Sequence, residues 1–231
     1  MIKGRVSVII PTMNEEESIG EVMDAVNKAL KGMDYEVLVV DTNSKDRTRE
    51  IATEKGATVI DEPRRGYGRA YKTGFDKATG EYIVTLDADC TYPAEAIPDL
   101  LAALEKENMD FISCERMTKM EKGAMTFGHR FGNWVLKVTM NILFRMKFKD
   151  SQTGMWVFRR EILPSLHLTS NGMALSEEIK IEAHVRGFRV KEMPIVYRPR
   201  KGEVKLNSWG DGIANLKFLL WKRFKGMKKQ K

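Results

Sequence analysis

The sequence predicts an α/β fold in which a mostly parallel sheet is flanked by helices. Short β-branched runs alternate with amphipathic segments through the first half of the chain, about every 20 to 25 residues. Two of these runs end in aspartates, one at Asp41 and one at Asp87 and Asp89. Ligands bind beyond the carboxyl ends of strands in open α/β sheets, so these carboxylates mark the expected site. A chain of 231 residues is long enough to bury a full core without disulfides.

Five β-favouring runs predict the strands of the first half, and apolar residues at helical spacing predict the helices between them. These strands are expected at residues 5–10, 35–40, 57–60, 82–89 and 110–114. The helices are expected within residues 14–30, 48–55, 70–78 and 94–104. The second half predicts strands at 155–158 and 188–193 and helices at 175–185 and near 211–224. Pro11 is expected to end the first strand.

The composition narrows the class of protein and of partner. Two cysteines make neither a disulfide framework nor a zinc set, and they fit a reducing cytoplasm. No apolar stretch reaches 18 residues, so neither a membrane-spanning helix nor a signal peptide is expected. The net charge of +7 predicts an anionic partner, which can be nucleic acid, a nucleotide or a lipid headgroup.

Two segments of the second half have the composition of membrane-surface helices. Residues 123–148 carry large apolar side chains on more than one face, with cations interspersed. They fit either an interfacial helix or a core helix whose Lys and Arg side chains reach water. The aromatic-rich helix near 211–224 leads into residues 222–231, which hold six basic residues and no acidic one. This tail fits either an anchor on anionic lipid or a solvated charge run.

The pair Asp87 and Asp89 is the strongest chemical signal. Side chains alternate along a strand, so the two carboxylates are expected to point to the same side and to converge on one divalent cation. The remaining oxygen ligands would then come from a phosphorylated substrate. The alternative is a strand-end pair that caps the helix beginning near Ala94.

Two glycine and turn patterns bear on nucleotide binding. The turn after the first strand, residues 11–17, contains no glycine and three glutamates, which disfavours a Rossmann dehydrogenase. Gly66 and Gly68 lie among three arginines. This loop fits either a tight turn or a phosphate contact.

Seven short motifs occur in order along nearly the whole chain. They are residues 11–15 (PTMNE), 41–48 (DTNSKDRT), 66–74, 87–89 (DAD), 150–154 (DSQTG), Glu178 and 200–206 (RKGEVKL). Together they resemble the inverting nucleotide-sugar glycosyltransferases of the GT-A type in family two. The closest resemblance is to the polyprenyl-phosphate hexose synthases, which make dolichol-phosphate mannose and glucose.

This resemblance implies a GT-A fold and a division of labour along the chain. A catalytic domain would span residues 1–206, with a nucleotide-binding half at about 1–116 and an acceptor half at about 117–206. An amphipathic helix and basic tail would follow at 207–231. The implied nucleotide- and donor-binding residues are Pro11, Thr12, Met13, Glu15, Asp41, Asn43, Gly66, Asp87, Ala88, Asp89, Arg200 and Lys205. The implied catalytic residues are Asp89, Arg116, Arg130, Gln152 and Glu178, and Asp87 and Asp89 would hold Mg²⁺ or Mn²⁺.

Four positions depart from the family pattern. The second acidic residue usual after Asp41 is Thr42, and Thr91 stands where many mannose synthases have glutamine. Trp156 replaces a common arginine, and Val204 replaces the usual serine before Lys205. The metal-binding pattern is intact, and the donor stays open between GDP-mannose and UDP-glucose.

The resemblance implies inverting transfer of a hexose to a polyprenyl or dolichyl monophosphate. That phosphate is largely a dianion at neutral pH, so it needs positioning more than deprotonation. The expected partners are the nucleotide sugar, the lipid phosphate and an anionic membrane surface, which the chain reaches either directly or through a membrane-anchored partner protein. The expected location is the cytoplasmic face of the membrane, with peripheral attachment.

Three other functions are consistent with parts of the pattern. A glycosyltransferase with a soluble hydroxyl acceptor would need a general base, for which Glu178 is the candidate. A nucleotidyltransferase would also use paired aspartates but would release pyrophosphate. A non-enzymatic anion-binding protein is the third alternative. Nucleic acid is not the expected ligand, because the basic residues cluster at one end instead of alternating with aromatics along a groove.

Overall fold

The computed structural model describes residues 4–202 and 208–227, which form one seven-stranded sheet with helices on both faces. The strands are β1 (Val6–Thr12), β2 (Tyr35–Asp41), β3 (Thr58–Asp61), β4 (Tyr82–Thr85), β5 (Phe111–Met120), β6 (Trp156–Arg159) and β7 (Val190–Tyr197). The α-helices are α1 (Ile19–Ala29), α2 (Thr48–Glu54), α3 (Tyr67–Lys77), α4 (Ile97–Lys106), α5 (Phe127–Phe144), α6 (Leu175–Val185) and α7 (Ser208–Trp221). A turn of π-helix, Lys222–Gly226, continues α7.

The strand order β3-β2-β1-β4-β6-β5-β7 confirms the mostly parallel sheet. Within the described ranges, β6 alone runs antiparallel to its neighbours β4 and β5, and the other pairings are parallel. The carboxyl ends of β1, β2, β4, β5 and β7 therefore lie along one edge, and the register places Thr12 beside Asp41 there. This edge carries the acidic residues that the sequence singled out.

The alternation of side chains along the strands produces two core layers. On one face, Val8 and Ile10 of β1 pack with α1, α2 and α4. On the other face, Ile9 of β1 packs with α3 and α6. A third, smaller cluster joins α5, α6 and α7 through residues such as Met140 and Leu219. Helices α1, α3, α4 and α6 thus bury their apolar residues against the sheet, as the helical spacing requires.

Four predicted strand ends are wrong, and one of them is the end of β7, which continues through Pro194 to Tyr197 instead of stopping at Met193. The run 82–89 is a strand only through Thr85, and both following aspartates lie in the bend after it. Strand β1 continues through Pro11 to Thr12. This is possible because the pairing of β1 with β4 ends at Ile9, so the missing N–H of Pro11 interrupts no ladder on that side. Strand β5 extends to Met120 because β7 supplies a partner beyond an irregularity after Glu115.

The two predicted surface helices are present as α5 and α7, which pack against each other. No helix in the described ranges is long and apolar enough to cross a membrane. Residues 203–207 lie outside the described part of the chain, as do 228–231. The predicted domain boundary after residue 206, the donor-site candidate Lys205 and the end of the basic tail therefore stay predictions. Strand β5 crosses the predicted division at residue 116, so one sheet includes both halves.

Candidate active site

Asp87 lies just past β4 and is held by two tyrosines of α3. The hydroxyls of Tyr67 and Tyr71 lie 3.3 Å and 3.2 Å from Asp87 Oδ1, and Tyr71 also donates to the Leu86 carbonyl. The two tyrosines are four residues apart, so they share one helical face. They engage Oδ1 and leave Oδ2 to face other groups. Burial raises the pKa of Asp87 to about 7, with the nearby charge of Asp89 as the second cause.

Asp89 is fixed by its own turn and by the loop after β7. Its Oδ1 accepts hydrogen bonds from the Thr91 amide and hydroxyl. Its Oδ2 lies 3.6 Å from Arg200 Nη1, and its carbonyl accepts from the Lys201 amide. Cys90, which follows Asp89, has a φ of 64°. This left-handed conformation turns the chain just after the two aspartates, at the rim of the sheet.

The two carboxylates fit a divalent cation as a two-ligand site. No group of three or more His, Cys, Asp or Glu side chains suited to a metal occurs within residues 4–202 and 208–227. Asp87 and Asp89 would therefore supply two oxygens, and substrate or water oxygens would complete the shell, as is usual for Mg²⁺ with phosphates. The mutual repulsion that raises the pKa of Asp87 is the interaction that such a cation relieves.

The positively charged guanidinium of Arg200 lies near Asp89 and keeps unused hydrogen-bond donors. Its Nη2 lies 3.4 Å from Glu15 Oε1, and its Nη1 lies 3.6 Å from Asp89 Oδ2. Both distances are long for charge-assisted hydrogen bonds. Its buried Nε has no hydrogen-bond partner among the described residues. The guanidinium therefore has donor capacity left for an anion at the rim.

Arg116 on β5 forms a buried bidentate ion pair with Asp150. Its Nε and Nη2 lie 2.7 Å and 3.0 Å from the two carboxylate oxygens, and its backbone amide donates to the same group. The guanidinium also lies 5.1 Å from the centre of the Tyr197 ring. Burial alone would raise the pKa of Asp150, but the charge and hydrogen bonds of Arg116 outweigh it and lower the pKa to about 2.

The loop 150–154 lies directly against Asp87. A Cβ atom on Gly154 would lie 2.0 Å from the Tyr67 hydroxyl and 3.4 Å from Asp87 Oδ1, so only glycine fits this approach. The Gly154 carbonyl accepts from Thr85 Oγ1 at 2.6 Å, and its amide donates to the Tyr92 hydroxyl at 2.7 Å. The last residue of β4 and the loop before β6 therefore hold each other in place.

Gln152 of this loop is oriented by two helices. Its Nε2 donates to Glu177 Oε1 on α6 at 2.7 Å, and its Oε1 accepts from Asn215 Nδ2 on α7 at 2.9 Å. Burial raises the pKa of Glu177 well above its ordinary range, and the charge of Lys180 and the bond from Gln152 oppose this shift. Glu177 Oε2 has no hydrogen-bond partner among the described residues.

Glu178, a predicted catalytic residue, is not placed with the others. Its oxygens accept from the amides of Thr169 and Ser170 and from the Thr169 hydroxyl, and Lys222 Nζ lies 2.9 Å away. The side chain is fully buried. Loop 150–154 contacts Glu177, the preceding residue on α6. Glu178 is one position further around the helix and therefore points away from this loop. Glu178 thus binds the 169–170 loop and Lys222, and its role as a general base stays a prediction.

The predicted nucleoside-binding residues lie at the ends of β1 and β2. Asp41 is fully buried and accepts hydrogen bonds from the hydroxyls of Thr12 and Ser44 and from the Ser44 amide. These contacts orient Asp41 and take up much of its accepting capacity. Asn43 has a φ of 52° and donates to the Pro63 carbonyl at 3.0 Å. The other members at this edge are Pro11, Met13, Glu15 and the buried Ala88.

Gly66 has a packing role in this structure. Its φ is 145°, and a Cβ there would lie 2.3 Å from the Asn171 carbonyl. The Arg69 amide donates to the same carbonyl. Gly66 and Gly68 thus let the start of α3 lie close to the loop before α6. Of the two roles considered for these glycines, this contact agrees with the tight turn.

Arg130 is exposed on α5. It lines a cleft of about 640 Å³ with the aromatic side chains of Phe127, Phe131 and Trp134. Lys137, Lys149 and Asp150 also line this cleft. The cleft thus runs from an aromatic and cationic surface to the buried partner of Arg116.

Several site residues were missed by sequence reasoning. Tyr67 and Tyr71 support Asp87, and Glu177, Lys180 and Asn215 support loop 150–154. Tyr67 and Tyr71 are four residues apart, which places both on one helical face, but the predicted helix begins only at Ala70 and so leaves Tyr67 in the loop before it. Charged residues inside the otherwise apolar stretch of α6 were the other available signal, because buried charges need specific partners.

Comparison with known proteins identifies relatives along most of the chain. Residues 7–166 match glycosyl transferase family 2. A dolichyl-phosphate hexose transferase of Haloferax volcanii is 37% identical over 210 residues, which cover 90% of this chain and 89% of the relative. A low-salt glycan biosynthesis hexosyltransferase of the same organism is 38% identical over 217 residues, covering 93% of this chain and 52% of the relative. A dolichol-phosphate mannosyltransferase of Pyrococcus furiosus is 32% identical over 219 residues, which cover 87% of this chain and 59% of the relative. The chain thus spans only about half the length of some relatives.

Solved structures confirm the fold. Glucosyl-3-phosphoglycerate synthase of Mycobacterium tuberculosis, crystallised with Mn²⁺, UDP and glucosyl-3-phosphoglycerate, has a TM-score of 0.76 and is 21% identical. The match covers 96% of this chain and 80% of that one. A structure of the same synthase with Mg²⁺ and UDP has a TM-score of 0.78 at 20% identity. The predicted GT-A fold is therefore correct.

The family match extends over more than half of the sequence, and relatives above 30% identity bear the names of hexosyltransferases. The predicted reaction class is confirmed by these relatives. The chain is a glycosyltransferase and belongs to glycosyl transferase family 2.

Proposed function

We propose that this enzyme transfers a hexose from a nucleotide sugar to a polyprenyl or dolichyl monophosphate, with inversion, at a membrane surface. The observation that carries the proposal is the cleft beside α5. It combines exposed aromatic side chains with cations and ends at Asp150, the partner of Arg116. A lipid phosphate has the same two parts, an apolar chain and an anionic head. The names of the relatives support this acceptor class.

The donor would lie across the carboxyl edge of the sheet. Its nucleoside would occupy the ends of β1 and β2 around Asp41, and its diphosphate would lie near Asp87 and Asp89. A divalent cation bound by these two aspartates would neutralise the charge of the departing nucleoside diphosphate. Arg200, with its unused donor capacity, would hold the same diphosphate from the opposite side.

The chain's own residues would bring two anions together and exclude water between them. Arg130 and Lys137 on the cleft wall would screen the acceptor phosphate during its approach. Arg116 is largely neutralised by Asp150, so its role would be to shape the floor of the site. Positioning of the phosphate against the anomeric carbon, without a dedicated general base, would then supply most of the rate enhancement.

Membrane contact is proposed for the outer faces of α5 and α7. Ten large apolar side chains are at least 36% exposed in the described residues. On these two helices they are Phe127, Phe131, Trp134, Ile142, Ile213, Leu220 and Trp221. Phe224 follows in the π-helical turn. Aromatic residues flanked by Lys and Arg are the composition of helices that lie in the lipid interface.

The test is a transfer assay with radiolabelled GDP-mannose and UDP-glucose, each offered with polyprenyl phosphate in vesicles and with Mg²⁺ or Mn²⁺. We expect label to enter the organic phase with one of the two donors. Asp89→Asn is expected to lower this transfer by about 100- to 1000-fold, because it removes charge opposite the leaving group. Asp99→Asn, at the start of α4, is the matched control and should retain transfer.

Two outcomes would contradict the proposal. Full transfer by Asp89→Asn at saturating metal would remove the aspartate pair from the mechanism. Label that stays in the aqueous phase on a hydroxyl acceptor would instead support a transferase with a soluble acceptor.

A further inference from the structure

Helix α6 contains an unusual run of buried charge. Residues 175–183 are all buried, and the side chains of Glu177, Glu178, Lys180 and Glu182 have no exposed surface. Burying a charged group is unfavourable unless bonds within the protein replace its hydration. Such residues persist where a specific arrangement needs them. The partners of each one therefore indicate what it holds in place.

Lys180 differs from its neighbours because its partners are main-chain carbonyls of a single loop. Its Nζ donates to the carbonyls of Asp150, Ser151 and Thr153, at 3.2, 2.7 and 3.4 Å. An ammonium group has three N–H donors, and three acceptors converge on it here. Carbonyl oxygens that point inward repel one another, so the curvature of this loop depends on the cation at its centre.

The same loop carries the groups that build the floor of the site. Asp150 fixes Arg116, the Gln152 side chain is held between α6 and α7, and Gly154 touches the surroundings of Asp87. A shift of the three carbonyls would move all these groups together. Lys180 itself contacts none of Arg116, Asp87 or Asp89 by hydrogen bond, so its influence on them passes through the loop.

We propose that Lys180 is a positioning residue for glycosyl transfer, which sets the conformation of loop 150–154 through its three carbonyl contacts. The inference rests on the role proposed above for this loop at the floor of the site. Its ammonium form can serve all three carbonyls. A neutral amine has only two N–H donors and presents a lone pair to the third carbonyl, so loss of the proton loosens the loop.

The surroundings of Lys180 make that proton loss accessible. Burial lowers the pKa of Lys180 to about 8, and the charges of Asp150 on the loop, Glu192 on β7 and Glu177 on α6 oppose the shift. Arg116 on β5 adds to it, and the buried thiol of Cys114 faces the same region. Because the charged form is the one that holds the loop, we expect kcat to fall as the pH rises through about 8.

The experiment compares wild type with Lys180→Gln and Lys180→Met in the organic-phase transfer assay from pH 6 to pH 10. At pH 7 we expect kcat to fall about 10- to 100-fold in Lys180→Met, since displacements of about 1 Å have effects of this size. Lys180→Gln should fall less, because its amide retains two donors. The KM for the nucleotide sugar should stay within about threefold, because the nucleoside end of the site does not touch the loop.

The pH profile separates positioning from general support of the fold. Wild type should lose activity on the alkaline side, and both variants should lack this decline. Glu36→Ala is the control for stability: its carboxylate binds Ser7 and Thr79 near the amino ends of β1 and β2, at the opposite edge of the sheet. It should lower Tm while leaving kcat and the alkaline decline unchanged.

Three results would overturn the inference. One is a wild-type kcat that stays flat from pH 7 to pH 10, and another is an alkaline decline that persists in Lys180→Gln. The third is a kcat that falls in proportion to Tm in both Lys180 variants and in Glu36→Ala alike.

Gln152→Ala separates the proposed role of loop 150–154 in transfer from the proposed role of Lys180 in holding that loop. If it abolishes transfer and the Lys180 variants do not, the loop matters but Lys180 does not set it. If Gln152→Ala is fully active, the proposed role of the loop is itself wrong.

Discussion

Asp150 and Arg116 form a buried ion pair that fixes loop 150–154 to strand β5. Both side chains are buried, and their two parallel hydrogen bonds leave little freedom to either group. Removing one partner of a buried pair typically costs about 3–5 kcal/mol, because the other charge is left without compensation. The pair is therefore expected to be sensitive to acid, since protonation of the carboxylate breaks it.

The acid sensitivity of Asp150 gives a prediction with a definite sign. Its pKa is about 2 in the folded protein, below the ordinary value of 3.8. The stabilisation is thus complete above about pH 4 and is lost as the pH falls through about 2. This difference corresponds to about 2 kcal/mol. In Asp150→Asn, the free energy of unfolding in urea should decline less between pH 4 and pH 2 than in wild type.

The surface variant Asp24→Asn is the control for this measurement. Asp24 is exposed and pairs with Lys55, so its replacement should leave the wild-type decline in place. Equal slopes for wild type and Asp150→Asn would show that the carboxylate is not stabilised in the fold.

At the scale of elements, α5 and α7 have two different faces. Their inner faces bury Leu136, Met140 and Leu219 with Ile181 of α6. Their outer faces expose aromatic side chains, with Phe127 at 85% exposure and Trp134 at 54%. Exposed apolar surface of this kind commonly marks an interaction site. The same stripe leads into the cleft proposed for the acceptor.

We predict that the outer face of α5 carries much of the membrane affinity. The double variant Phe131→Ser, Trp134→Ser should bind vesicles of anionic lipid about 10- to 100-fold more weakly in a flotation assay, because two aromatic side chains no longer enter the interface. Val185→Ser on α6 is the matched control, since Val185 is exposed but lies on another element. Unchanged flotation of the double variant would place the contact elsewhere.

At the scale of the whole molecule, the C-terminal segment is joined to the catalytic body by buried polar contacts. Lys222 is fully buried, and its Nζ lies 2.9 Å from Glu178 Oε1 and 2.6 Å from Glu182 Oε1. It also donates to the His167 carbonyl at 3.0 Å. About two helical turns before Lys222, Asn215 of α7 donates a hydrogen bond to Gln152. The surface helix is thus connected to the loop at the floor of the site.

Lys222→Met is predicted to release this segment before the sheet unfolds. It leaves the buried carboxylate of Glu178 without its cation and removes one of the two cations that pair with Glu182, which costs about 3–5 kcal/mol. Hydrogen exchange should therefore accelerate at the α7 amides, whereas amides of β1 and β4 should keep most of their protection. Lys217→Met, on α7 but away from this cluster, is the control. Equal acceleration across sheet and helix would mean that the segment unfolds only with the body.

Much of the architecture followed from local patterns, and the errors have a common cause. Alternating and helical apolar spacing predicted each strand and helix that carries the site. Strand ends were less accurate, because pairing partners decide them: β5 continues to Met120 beside β7, and β4 ends at Thr85. Among the site candidates, Arg200 lies 3.6 Å from Asp89, and the charges of Asp89 and Arg200 both act on Asp87; their roles stay predictions. Loop 150–154 contacts Glu177, whereas Glu178 contacts residues 169–170. The rotation of α6 decides this difference, and the sequence spacing does not reveal it.

By itself, the sequence determined the fold class, the acidic pair at the sheet edge and the family, because these are written in residue type and order. The tertiary structure decided which buried polar side chains contact loop 150–154. Glu177, Lys180 and Asn215 come from segments far from Asp150 in sequence, and only packing of α6 and α7 on the loop brings them together. The physical reason is that a buried polar group takes its role from its partners, and those partners are chosen by the fold.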